Sequence, residues 1–215
     1  AISGPLLAKA WEEQDFKQIQ TIYSKSAINQ LIIGGLFFLC IWINVDAIFS
    51  ILPEKFSHGK WVVLYIGLAQ LFNISTGVNG AIIVNSKYYK YDLYTNVILV
   101  LITICSNYIL IQKYGINGAA MATALSVLLF NLIRLILIKV KMGLQPFTLK
   151  TLYTILILLA IYGVSIYLPL SGNLYLDVVW KAFIVVAIFI PLLLWLELSE
   201  DINKIVSDIR KRLGL

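Results

Sequence analysis

Charge is scarce in this sequence. Only 13% of its 215 residues are Asp, Glu, Lys or Arg, against about 25% in an ordinary soluble domain, so there is too little polar surface to cover a water-soluble globule. Cysteine is limited to Cys40 and Cys105, both inside apolar runs, which speaks against a disulfide scaffold and for packing as small apolar side chains. One histidine, His58, stands in "EKFSHGKW" without a second His or Cys nearby. A metal centre is not expected there, and a loop-capping role is. Gly-rich phosphate loops, nucleophile elbows and paired-His metal motifs are missing, so neither an enzyme nor a cofactor site is expected. No basic patch interleaved with aromatics points to nucleic acid.

What is present is apolarity. Sixty per cent of the chain is hydrophobic, and segments of about 20 such residues, enough to cross ~30 Å of hydrocarbon, recur throughout. They fall at 29–52, 61–84, 93–111, 118–138, 149–168 and 178–198. The expected fold class is therefore all-α: a polytopic membrane helix bundle with about six transmembrane helices. The opening residues lack the basic and apolar regions of a signal peptide, and the chain is expected to begin within a larger protein.

Only the two ends leave room for polar structure. In "PLLAKAWEEQDFKQIQTIYSKS", Leu6, Leu7, Ala10, Phe16, Ile19 and Tyr23 recur at helical intervals among charged residues. Two readings stay open: an amphipathic helix on the membrane surface, or a connector whose apolar residues pack on neighbouring spans. The tail "SEDINKIVSDIRKRLGL" reads in the same two ways. Its stripe is Ile202, Ile205, Val206, Ile209 and Leu213, flanked by Lys204, Arg210, Lys211 and Arg212.

Basic residues set the orientation. With both termini in the cytoplasm, as six spans allow, thirteen of the 17 lysines and arginines lie inside and only Lys55, Lys60, Lys113 and Lys181 outside. That split follows the positive-inside rule, and it makes the formal charge of +6 a topology signal.

The stretch "QKYGINGAAMATALS" separates the third and fourth spans by a handful of residues. Gly115 can supply a positive φ in so tight a turn. Gly118, Ala122 and Ser126 then recur every fourth residue, a stripe that lets two helices approach closely in lipid. A helical hairpin is expected.

In chain order, "GPLLAKAWEEQDFKQIQTIYSKS", "ILPEKFSHG", "NSKYYKYDLYTNVI" and "NYILIQKYGINGAAMATALS" resemble the C-terminal part of a Wzx-type polysaccharide flippase. That family of lipid-linked oligosaccharide carriers belongs to the multidrug/oligosaccharidyl-lipid/polysaccharide exporter superfamily. The likeness runs from about Pro5 to Phe147; the last two helices fit by position and apolarity. It implies a two-lobed transporter fold of 12 or 14 helices, of which this chain would hold the ninth to fourteenth, its partner being a missing N-terminal lobe of the same protein. It implies alternating access in the bacterial inner membrane, with membrane lipid and a polyprenyl-pyrophosphate-linked oligosaccharide as partners. The division expected is an amphipathic cytoplasmic connector (1–25), a four-helix part of the C-terminal lobe (26–147), two additional transmembrane helices (148–198) and a basic amphipathic tail (199–215). A multidrug or cation antiporter of the same superfamily is the alternative. A glycan polymerase or ligase would need a large outer loop, and the loops here are short.

Polar residues inside apolar spans are the site candidates. Gln70 and Asn73 share one side of the second span with Thr76 at its margin, and Asn96, Thr103 and Asn107 lie within about 20° of a common direction on the third. Each line either joins helices through hydrogen bonds or borders a transport path, and the family likeness favours Gln70 and Asn73 for the path. Arg134 either meets a phosphate or reaches to the inner head groups. Asp46 is an ion-coupling candidate, or an interfacial acid near the outer end of its span. Pro191 is expected to bend the last span.

Overall fold

The computed structural model describes residues 3–168 and 173–213. These form α1 (Ser3–Glu12), α2 (Phe16–Ile43), α3 (Val45–Ile51), α4 (Lys60–Ser75), α5 (Asn79–Val84), α6 (Lys90–Met142), α7 (Leu149–Ser165), α8 (Leu174–Trp195) and α9 (Glu200–Leu213), with a 3-10 turn at Glu54–Gly59. No strand occurs among the described residues. Three helices, α2, α6 and α8, are long and apolar enough to cross a membrane, and α7 is a shorter apolar helix. The protein is a helical membrane protein by that measure.

The helices gather into two compact units. The first holds the chain up to Ala27 together with His58–Pro146, and the second holds Ile28–Ser57 and the chain from Phe147 onward. Helix α2 thus contributes its start to one unit and its remainder to the other.

In the first unit the amphipathic opening is two helices. Pro5 stands in the first turn of α1, where its missing N–H removes no hydrogen bond. Gln14 at φ 53° then turns the chain, and the Asp15 carboxylate accepts from the Gln18 amide at 2.9 Å to start α2. Leu7, Ala10, Ile19 and Tyr23 are buried in one cluster with Ile82, Ile83, Ile138 and Leu144, whereas Leu6 and Phe16 stay exposed. Of the two readings, packing on neighbouring helices is the one realised. Gln20 completes it by clasping Gln145 through both its amide nitrogen (2.6 Å) and its amide oxygen (3.1 Å).

Helix α6 is two helices joined at a sharp turn. At Gly115 the backbone takes φ 56°, ψ −130°, the first central position of a II′ turn, which side chains rarely adopt. Residues 90–114 and 116–142 are two limbs folded back on each other. The Ser106 and Ser126 hydroxyls meet at 3.3 Å, and a Cβ on Gly118 would lie 2.0 Å from the Leu110 carbonyl oxygen. Gly118, Ala122 and Ser126 are all buried, so the small-residue stripe is the hairpin's contact. The opposite side of the first limb carries Val97, Leu101, Ile104 and Tyr108 in the open, a surface suited to lipid and not to water.

In the second unit, Ile28, Ile32 and Leu39 of α2 pack with Ile161 of α7 and Val185, Phe189 and Leu193 of α8. Leu158 lies against Gly35, where a Cβ would meet it at 2.4 Å. Thr148 and Thr151 form a capping box at the start of α7. Helix α8 runs on through Pro191 to Trp195. Cys40 and Cys105 are both free.

Candidate functional site

The second apolar run of the sequence does not fold as one rod. It breaks between α4 and α5, where Gly77 takes φ 63°. A Cβ there would sit 2.6 Å from the Ser26 hydroxyl and 2.9 Å from the Ala27 nitrogen of α2, so glycine is required both for the turn and for the close approach. A broken helix in an apolar bundle frees backbone groups that other polar atoms must satisfy. Here the backbone is met locally, the Thr76 amide and hydroxyl donating to the Asn73 carbonyl and the Gly77 amide to the Ile74 carbonyl, while the second limb of α6 meets the side chains around the break.

Asn131 is the hub. Its amide oxygen accepts from Thr76 at 3.1 Å and from Asn79 at 3.0 Å, while its nitrogen donates to the Asn73 side chain and the Val127 carbonyl, both at 2.9 Å. Both lone-pair positions and both N–H groups of that amide are used. Asn131 and Thr76 are essentially fully buried. Asn73 in turn donates to Gln70 at 3.2 Å, and Gln70 is exposed. A continuous line of amides thus leads from the surface of α4 to the buried break.

One helical turn beyond Asn131 stands Arg134. It pairs with Asp92 of the first limb, lies 3.5 Å from the Thr95 hydroxyl through Nε, and holds its guanidinium 4.1 Å from the Phe130 ring centre. A Cβ on Gly80 would come within 2.9 Å of it. The side chains are 12% and 26% exposed, and Asp92 is within the first turn of α6, where a carboxylate is favoured by the helix dipole. Such a guanidinium, flat and permanently charged, can trade one oxyanion for another without changing its own protonation.

Of the other sequence candidates, Asn96 adjoins the Asp92–Arg134 pair and the rest lie elsewhere. Asn96 donates to the Asp92 carbonyl and carboxylate at 2.8 and 3.0 Å, and Asn107 to the Thr103 carbonyl at 2.8 Å, so this line closes on its own helix. The face of that limb turned toward its neighbour carries Asp92, Thr95 and Ser106 instead. Asp46 is exposed in the first turn of α3, past a break at Asn44. The side chains of His58 and Leu213 lie outside the described residues, and no cluster of three potential metal ligands occurs among those described.

Asp92, Asn79 and Asn131 are additions to the residues read from the sequence. Asn131 carried a usable signal, a lone amide in "LLFNLIRL" three positions before Arg134. Asp92, in "KYYKYDLY", had the look of a loop acid. No family model, curated protein or solved structure matches the chain.

Proposed function

We propose that this chain forms part of the C-terminal lobe of an alternating-access transporter that carries lipid-linked oligosaccharide across the bacterial inner membrane. In this reading six segments cross the bilayer, both ends of the chain face the cytoplasm, and a second lobe completes the cavity. The observation that carries it is the amide line Gln70–Asn73–Asn131 at the α4–α5 break. Interrupted helices with polar linings are where membrane carriers hold their cargo. A sugar–pyrophosphate head group entering bare hydrocarbon would cost many kcal/mol, and the exposed Gln70 with the half-buried Asn73 offers hydrogen bonds in place of water. Arg134 is the cation placed to take a pyrophosphate oxygen in exchange for Asp92. The sequence resemblance supplies the cargo class.

A cation antiporter is the second reading. It is favoured by Asp92, an acid held inside the helical hairpin; there a cation meeting the carboxylate, not a phosphate meeting the guanidinium, would open the pair.

Gln70→Leu separates path from scaffold, because Gln70 is exposed and only its oxygen joins the line. In cells whose surface polysaccharide depends on this protein, export per folded molecule is expected to fall several-fold with unchanged thermal stability in detergent. Export per molecule at the unsubstituted level would remove Gln70 and the α4 edge from the path.

A further inference from the structure

Helix α9 is held firmly at one end and left uncovered at the other. The chain leaves α8 through a Schellman turn, with the Leu198 amide donating to the Leu193 carbonyl at 3.2 Å and Glu197 to Leu194 at 3.3 Å. Glu197 occupies the left-handed position usually given to glycine, φ 47°, and Lys150 of α7 fixes its carbonyl at 2.8 Å. Ser199 caps α9 by accepting from the Ile202 amide at 3.2 Å and bonds Asn29 of α2, which itself donates to Asp201 at 2.7 Å. Ile202 packs on the Leu193–Leu198 cluster. Beyond Asn203 the picture changes: Val206 is half-buried, while Ile205 is 58% and Ile209 51% exposed.

The uncovered face is patterned. At ~100° per residue, Ile205, Val206 and Ile209 continue the stripe begun by Ile202. Arg210 and Arg212 fall on its two flanks, and Lys204, Asp208 and Lys211 lie opposite. An apolar stripe edged by arginines suits a helix in the head-group layer, its aliphatic side chains at the acyl boundary and its guanidinium groups at the phosphates. Two features choose the bilayer over a protein groove. The membrane-length apolar helix α8 ends at Trp195, only a tight turn before α9 begins, and the last turn gathers Arg210, Lys211 and Arg212, complementary to acidic lipid.

We infer that α9 docks on the surface of an anionic bilayer, with the Schellman turn and Asn29 presenting it and Arg210 and Arg212 reading the lipid charge. Docking of this kind does not depend on what the protein transports. In the full chain with Cys40 and Cys105 replaced by alanine, a bimane label is placed at Ile209→Cys or, on the opposite face, at Asp208→Cys. A third label, at Phe183→Cys in α8, sets the level of full lipid exposure. In vesicles containing phosphatidylglycerol, brominated lipid is expected to quench the label at 209 several-fold more than the label at 208. Pure phosphatidylcholine, or Arg210→Gln with Arg212→Gln, should reduce quenching at 209 while leaving that at 183 unchanged. Equal quenching at 208 and 209 would overturn the docking, as it would mean that α9 is in water or wrapped by protein. Quenching at 209 indifferent to lipid charge and to the arginine substitutions would overturn the reading of charge.

Discussion

Three glycines do three different things. Gly115 holds a backbone conformation that costs an alanine roughly 1–3 kcal/mol, Gly118 faces a carbonyl oxygen 2.0 Å from where a Cβ would be, and Gly163 in α7 has nothing within 4 Å. Alanine at 115 or 118 is therefore expected to destabilise the protein by about 2 kcal/mol. At 163 it should be neutral or stabilise by up to about 1 kcal/mol, as a helix interior prefers alanine. Thermal unfolding in detergent gives the order, and a Gly163→Ala protein as weak as the other two would refute the packing described. The Asp92–Arg134 pair makes a second residue-level case. Asp92→Asn leaves a largely buried guanidinium without its counter-charge, an effect of up to roughly 3 kcal/mol, and Asp92→Asn combined with Arg134→Gln should recover much of it. Additive losses in the double variant would show that the pair is not coupled. Arg134 was legible in the sequence as a lone cation in an apolar run. Its partner was not, because 42 positions separate them and only the hairpin brings them together.

At the level of helices, the hairpin could be read from the sequence and the break could not. A short polar interval followed by Gly118, Ala122 and Ser126 determines both turn and contact locally. The interruption at Gly77 depends on the approach of Ser26 and Ala27, residues about fifty positions earlier in the chain, and the local cluster "STGVNG", turn-forming by composition, does not decide it alone. Periodicity alone did not show the partners along the first limb of α6. Asn96, Thr103 and Asn107 do share a side, but short amides can satisfy themselves on carbonyls one turn back, and Asn96 and Asn107 do so. Asn131→Leu is accordingly expected to lower stability by about 2 kcal/mol, since it leaves one N–H of buried Asn79 and the Asn73 side-chain oxygen without their partner. Asn96→Leu should change it by less than about 0.5 kcal/mol. If the two variants unfold at the same temperature, the hub at Asn131 is not a structural centre. The amphipathic ends differ for a similar reason: the same pattern permits a buried or an open stripe, and the opening finds Ile82, Ile83 and Ile138 to cover it, whereas Ile205 and Ile209 of the α9 stripe stay exposed.

For the whole molecule, composition alone gave the class, a helical membrane protein, because no water-soluble arrangement hides so much apolar surface. Grouping was less legible. A linear reading divides the chain into consecutive parts, yet Ile28–Ser57 is compact with the chain from Phe147 onward, a long-range choice made by contacts such as the Leu158 side chain against the bare backbone of Gly35. Six crossings with cytoplasmic ends are the central claim, and the two limbs of α6 are its most exposed part: they must carry Lys87 and Lys113 to opposite sides of the membrane. Single cysteines at Lys87, Lys113 and Ser207, in a chain lacking Cys40 and Cys105, test it with a membrane-impermeant thiol reagent. All three positions are exposed, unlike Ser86, which is buried. Labelling at 113 in intact cells, with labelling at 87 and 207 only after lysis, is the result expected. Labelling of 87 and 113 from the same side would mean that the first limb does not cross, and the six-span topology would fall with it.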